Sequence, residues 1–167
     1  MMSLWQRRTL AVLTLGGACI GIVSVLQVLI SNRNPVIWAA LLLYCLYYCW
    51  GVWLGIKLLE RNPNAPARLR LFWLFQVPFL SSPFLGYFIS TGFYLTTTVG
   101  WEPIRWLVNF QLGSIFSFSI NDSSQSYLIG CNIFALAVVI WLAKKLNNSV
   151  DSDDLTQPDA DNENKAE

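Results

Sequence analysis

NPVIWAALLLYCLYYCWGVWLGIKLLER, residues 34–61, carries no charge before Lys57. At 1.5 Å per residue, its uncharged part is long enough as a helix to cross roughly 30 Å of hydrocarbon. A helix on the surface of a water-soluble core would show a charged face, whereas here every face is apolar or aromatic. Trp38 stands near one end and Trp50 and Trp53 near the other, and indole rings favour the headgroup layer. The stretch is therefore expected to be a transmembrane helix over about residues 36–59. Tyr44, Tyr48, Gly51 and Gly55 share one of its faces. The two glycines form GxxxG, which admits a close neighbour, and hydroxyls at mid-membrane need hydrogen-bond partners. That face is expected against protein, with a tyrosine-lined ligand site as the functional alternative to packing.

Working outward, residues 9–32 form another uncharged run, preceded by Arg7 and Arg8. LGGAC at 15–19 resembles the lipid-attachment box of bacterial lipoproteins, but Gly16 stands where leucine is usual and the apolar run continues past Cys19. An uncleaved span over about 9–30 is expected, with Gly17 and Gly21 forming a second GxxxG packing face. Downstream, residues 71–101 carry no charge, which is more than one span needs. A third span is expected over about 71–90, kinked or broken at Pro78 and Pro83. Ser82, Gly86 and Ser90 recur every four residues and read as a small-residue face for helix packing. A fourth span is expected over about 126–146, closed by Lys144 and Lys145.

Between the third and fourth spans the period changes. Trp106, Val108, Phe110, Leu112, Phe116, Phe118 and Ile120 are all even-numbered, and their odd neighbours include Asn109, Gln111, Ser117 and Ser119. Alternation over this length predicts strands with one apolar face. A three-residue loop at 113–115 would pair Phe110 with Phe118 and keep that face apolar; a single strand bulged at Gly113 would do so too. The competing reading is an interfacial helix starting at Pro103. A turn at 121–124 ends the segment.

The fold expected from these readings is an all-α membrane protein: a four-span transmembrane helix bundle over residues 1–146 with a small exterior, periplasmic β element at about 92–120, within an exterior segment 92–124. Residues 147–167 hold seven of the ten acids and are expected to be an acidic, disordered cytoplasmic tail. Placing both termini in the cytoplasm leaves only Arg33 and Arg105 outside, against nine Lys and Arg inside. The expected location is a plasma membrane of the bacterial inner-membrane type, with multiple passes. The partners expected are the lipid bilayer and a membrane protein or second copy of the chain, and no nucleic acid.

The chain has no histidine, which removes the commonest metal ligand and the commonest acid–base group near neutral pH. No Walker or HExxH motif is present. Cys45 and Cys49, four apart on one helix, have a spacing open to a soft metal, but cysteine is more often a small buried apolar residue. No catalytic residue, metal ligand or cofactor is assigned. One polar cluster stands out: Gln27, Ser90, Thr91 and Asn132 would lie near the exterior ends of spans one, three and four. Carboxamides there need partners, either as interhelical glue or around a shallow polar pocket roofed by the exterior strands. The functional expectation is a non-enzymatic accessory or interaction subunit, with a channel or transporter for a neutral small solute as the alternative.

Overall fold

The computed structural model describes residues 2–31, 34–101, 104–120 and 122–154. Helix α1 (Leu4–Ser31) and helix α2 (Pro35–Leu59) pack as an antiparallel hairpin. Asn34 caps α2 by accepting from the Val36 amide, and Pro35 opens the helix, where a missing N–H costs nothing. Both helices are long and apolar enough to cross a membrane. A short helix α3 (Ala65–Leu74) follows. Then come β1 (Pro78–Ser81), β2 (Leu85–Ser90), β3 (Phe93–Trp101), β4 (Ile104–Leu112), β5 (Ile115–Ile120) and β6 (Leu128–Asn132). Helix α4 (Ile133–Asp154) completes the described chain.

This is a mixed α/β fold, not a four-span all-α bundle. Among the described residues only α1 and α2 meet the length and apolarity of a membrane span. The third expected span is absent because α3 stops at Leu74, before Pro78, and residues 78–90 become β1 and β2. Pro78 lacks the N–H that a continuing helix requires. The fourth expected span is split: its first residues are β6, and α4 starts only after Asn132, whose Oδ1 accepts from the Ala135 amide as an N-cap. Strands do occupy the 92–120 segment, but they belong to a larger sheet that extends back to residue 78. The Pro103 helix start and residues 155–167 of the tail lie outside the described residues. Helix α4 runs through the first part of the tail, to Asp154.

All pairings are antiparallel, in the order β4-β3-β6-β1-β2-β5. The expected Phe110–Phe118 hairpin does not form. Phe110 pairs with Leu95 on β3, and Phe118 pairs with Tyr87 on β2. Yet β4 and β5, the two outermost strands, are joined by only Gly113 and Ser114. Three Cα steps span at most about 11 Å, whereas a flat sheet would hold its outer strands roughly 24 Å apart. The sheet must therefore be rolled, and ring contacts across it show that it is. Phe88 on β2 and Tyr94 on β3 lie three places apart in the order, with centroids 5.3 Å apart. Phe79 on β1 adds a third ring, 5.1 Å from Phe88.

The register divides the side chains into two faces. Phe88, Ser90, Tyr94, Thr96 and Thr98 point into the roll and are buried. Their alternates point outward and are mostly apolar. On β2 and β5 this outward face meets the helix hairpin: Ile89 and Phe116 pack with Tyr44, Tyr48 and Val25. The other core lies where the remaining halves of α1 and α2 meet α3 and α4, around Leu10, Leu54, Leu58, Leu69, Phe72 and Leu142. On β4, however, Ile104, Trp106, Val108, Phe110 and Leu112 are all at least 64% exposed.

Candidate functional site

Three of the four residues in the expected polar cluster are buried near one another in the fold. The Thr91 amide and hydroxyl both donate to Gln76 Oε1, at 2.8 and 2.9 Å. The Asn132 amide donates to the carbonyl of Val77, the neighbour of Gln76, at 2.8 Å. Asn132 Oδ1 accepts from the amides of Leu95 and Ala135, each at 3.3 Å. Ser90 Oγ donates to the Phe93 carbonyl. Gln27 is elsewhere, exposed on the outer stretch of α1. Gln76 was missed by sequence reasoning, although it is the one carboxamide in the uncharged run 71–101.

This cluster is a joint. It ties the end of α3 to the β2–β3 link and sets the start of α4 against β3. Gly92, at φ 74° in that link, lies against the Leu13 carbonyl of α1, and Gly17 of α1 meets the Gly92 backbone. The Gln76 Nε2 group lies beside the Tyr47 hydroxyl without a hydrogen bond of regular geometry. Asn132 Nδ2, Thr14 Oγ1 and Trp73 Nε1 have no described hydrogen-bond partner. The joint is built from hydroxyls and carboxamides and holds no carboxylate. Among the described residues no three His, Cys, Asp or Glu side chains gather as a metal site.

The residues read as packing faces are placed as follows. Gly21 lies against the Tyr48 ring. A Cβ at Gly51 would meet Phe72 at 2.7 Å, and one at Gly55 would meet Leu15 at 2.9 Å. Tyr44 and Tyr48 reach the edge of the sheet: Tyr44 Oη donates to the Ser117 carbonyl at 3.1 Å, and Tyr48 Oη bridges the carbonyls of Ile115 and Ser90. Helix α2 thus satisfies main-chain acceptors on edge strand β5 that no neighbouring strand can reach. Ser82 and Gly86 lie on no helix. Ser82 turns the β1–β2 link by bonding to Leu85, and Gly86 on β2 lets Ser119 of β5 approach. Cys45 and Cys49 are free thiols.

Beside these tyrosines is a cavity of about 420 Å³ between α2 and the outward face of β2 and β5. Val36, Ala39, Ala40 and Leu43 form its helical wall, with Ile89 and Phe118 opposite. Tyr44, Tyr47 and Tyr87 also line it, and each hydroxyl donates to a main-chain carbonyl, of Ser117, Phe72 and Phe75 respectively. Sequence reasoning found Tyr44 here but not Tyr47 or Tyr87. Their partners, Phe72 and Phe75, lie at the end of α3, in the stretch expected to be a third span kinked or broken at Pro78 and Pro83.

The chain is thus a mixed α/β protein with a helix hairpin of membrane-crossing length and a rolled antiparallel sheet. Comparison with protein-family models, curated proteins and solved structures finds no match to it.

Proposed function

We propose that the protein is an integral membrane protein of the plasma (bacterial inner) membrane that acts as a non-enzymatic accessory or interaction subunit. The α1–α2 hairpin crosses the bilayer twice, with Arg7, Arg8 and the Lys57–Arg70 side in the cytoplasm. The single observation that carries the interaction reading is that β4 is an edge strand with no pairing neighbour beyond it among the described residues. The carbonyls of Leu107 and Asn109 lie within 3.5 Å of the Thr98 and Thr96 hydroxyls of β3, so they face inward. The alternation of an antiparallel strand then turns the N–H and C=O groups of Trp106, Val108 and Phe110 outward. Beside them runs the exposed apolar row of β4. Leaving such side chains in water forgoes about 1.5–3 kcal/mol each. Lipid would cover the row, but lipid cannot satisfy the outward main-chain groups, whereas an added strand does both. On the opposite edge strand, β5, Tyr44 and Tyr48 already donate to the carbonyls of Ser117 and Ile115. Among the described residues, the outward groups of β4 have no such cover.

The test is purification in mild detergent after carbonate-washed membranes are solubilised. A stoichiometric partner, another protein or a second copy, should accompany the wild-type chain. Val108→Pro should release it, because this substitution removes a donor the fold does not use and edge strands tolerate proline. A wild-type protein that runs alone as a monomer would overturn the interaction reading.

A further inference from the structure

We propose that the cavity between α2 and the outward face of β2 and β5 holds a single hydrocarbon chain of a membrane lipid; this rests on the membrane reading above. The chemistry of the lining selects the ligand. Its helical wall is alanine, valine and leucine, and its only polar side chains among the lining residues are three tyrosines. Tyr44, Tyr47 and Tyr87 each have the proton committed to a main-chain carbonyl, at 3.1, 2.7 and 2.9 Å. A polar solute would lose water and meet no free donor from these hydroxyls. A hydrocarbon loses nothing by entering.

The dimensions select one chain. From Val36 to Tyr47 the wall runs eleven residues along α2, about 16 Å at 1.5 Å per residue. A volume of about 420 Å³ spread over that length is a long, narrow groove, a shape that suits an extended chain and not a compact ligand. Ala39 and Ala40 set this width, because a larger side chain at either would enter the space. The position selects the direction. Val36 follows Pro35 and the capping Asn34, where α2 begins, so the lipid headgroup sits at that end and the tail runs toward Tyr47. The exposed side chains of Leu42 and Leu46 lie on a different stripe of α2 and meet ordinary bulk lipid.

The experiment uses the full chain in phospholipid vesicles doped with a phosphatidylcholine that bears a diazirine midway along one acyl chain. After irradiation, label is mapped by peptide mass spectrometry. Label on the segment holding Tyr87 and Ile89 should saturate as the probe fraction rises, while label at Leu42 and Leu46 should rise linearly. Ala40→Phe should deplete the Tyr87–Ile89 label several-fold and leave Leu46 unchanged; Leu46→Phe should leave the Tyr87–Ile89 label intact. Linear labelling at every site in the wild type would overturn the proposal, and needs no variant to fold. So would unchanged Tyr87–Ile89 label in Ala40→Phe. Release of the wild-type chain from membranes by carbonate would instead overturn the membrane reading on which it rests.

Discussion

Arg61 occupies a left-handed conformation, φ 63°, just past the end of α2. The Asn62 amide donates to the Lys57 carbonyl and the Arg61 amide to the Leu58 carbonyl, the pair of bonds that closes a helix in a Schellman motif. Glycine usually stands at that position because an L side chain there is strained by roughly 1–2 kcal/mol. Arg61→Gly should therefore stabilise the fold by up to about 1 kcal/mol, part of the gain being offset by the freer unfolded chain. A rise in the melting midpoint in detergent checks this. A fall would mean that the arginine side chain contributes more than its backbone costs. The left-handed Gly92 in the β2–β3 link has no such alternative, since the Leu13 carbonyl would lie 2.9 Å from an added Cβ.

At the scale of elements, the hairpin of α1 and α2 is held by glycine-sized gaps. Gly51 lets Phe72 of α3 approach, and Gly55 admits Leu15 of α1. Leucine at either position drives into an occupied site, and overpacking of this kind costs roughly 1–3 kcal/mol. Gly51→Leu and Gly55→Leu should each lower the melting midpoint in detergent. Gly51→Leu should also loosen α3, because Phe72 is the group it displaces and Tyr47 stacks on that ring at 4.6 Å. Unchanged melting in both variants would contradict the packing described. The same helix closes β5 through Tyr44 and Tyr48, so α2 serves as a membrane-length helix, a packing partner and a cover for a strand edge.

Across the whole molecule, positive charge gathers at one end. Arg7 and Arg8 open α1, and Lys57, Arg61, Arg68 and Arg70 surround the turn between α2 and α3. A reporter fused at Asn64, exposed in that turn, should signal cytoplasm, and one inserted at Asp122 in the β5–β6 link should signal the exterior. A periplasmic signal at Asn64 would invert the hairpin.

The sequence by itself determined the two long helices. An uncharged apolar run without proline satisfies every main-chain group within itself, so composition and length suffice to read it. It also favoured strands over an interfacial helix at 92–120, because alternation marks a two-faced element, and β3, β4 and β5 are what forms there. The face of α2 that must meet protein was legible from local spacing, and so was the need of Asn132 for partners, whereas Gln27, read with it, is exposed. Only the tertiary structure decided which strands pair. β1 finds β6 some fifty residues away, and β4 and β5, adjacent in sequence, end at opposite edges of the sheet. It also decided that the stretches read as spans three and four contain strands. Hydropathy counts apolar side chains, but it does not record whether a segment's N–H and C=O groups are satisfied within the segment or by a distant neighbour. Pro78, Pro83 and the capping Asn132 were the local marks of that difference. The apolar groove and the Gln76 joint followed from the pairing, because their walls come from segments that meet only once the sheet has rolled.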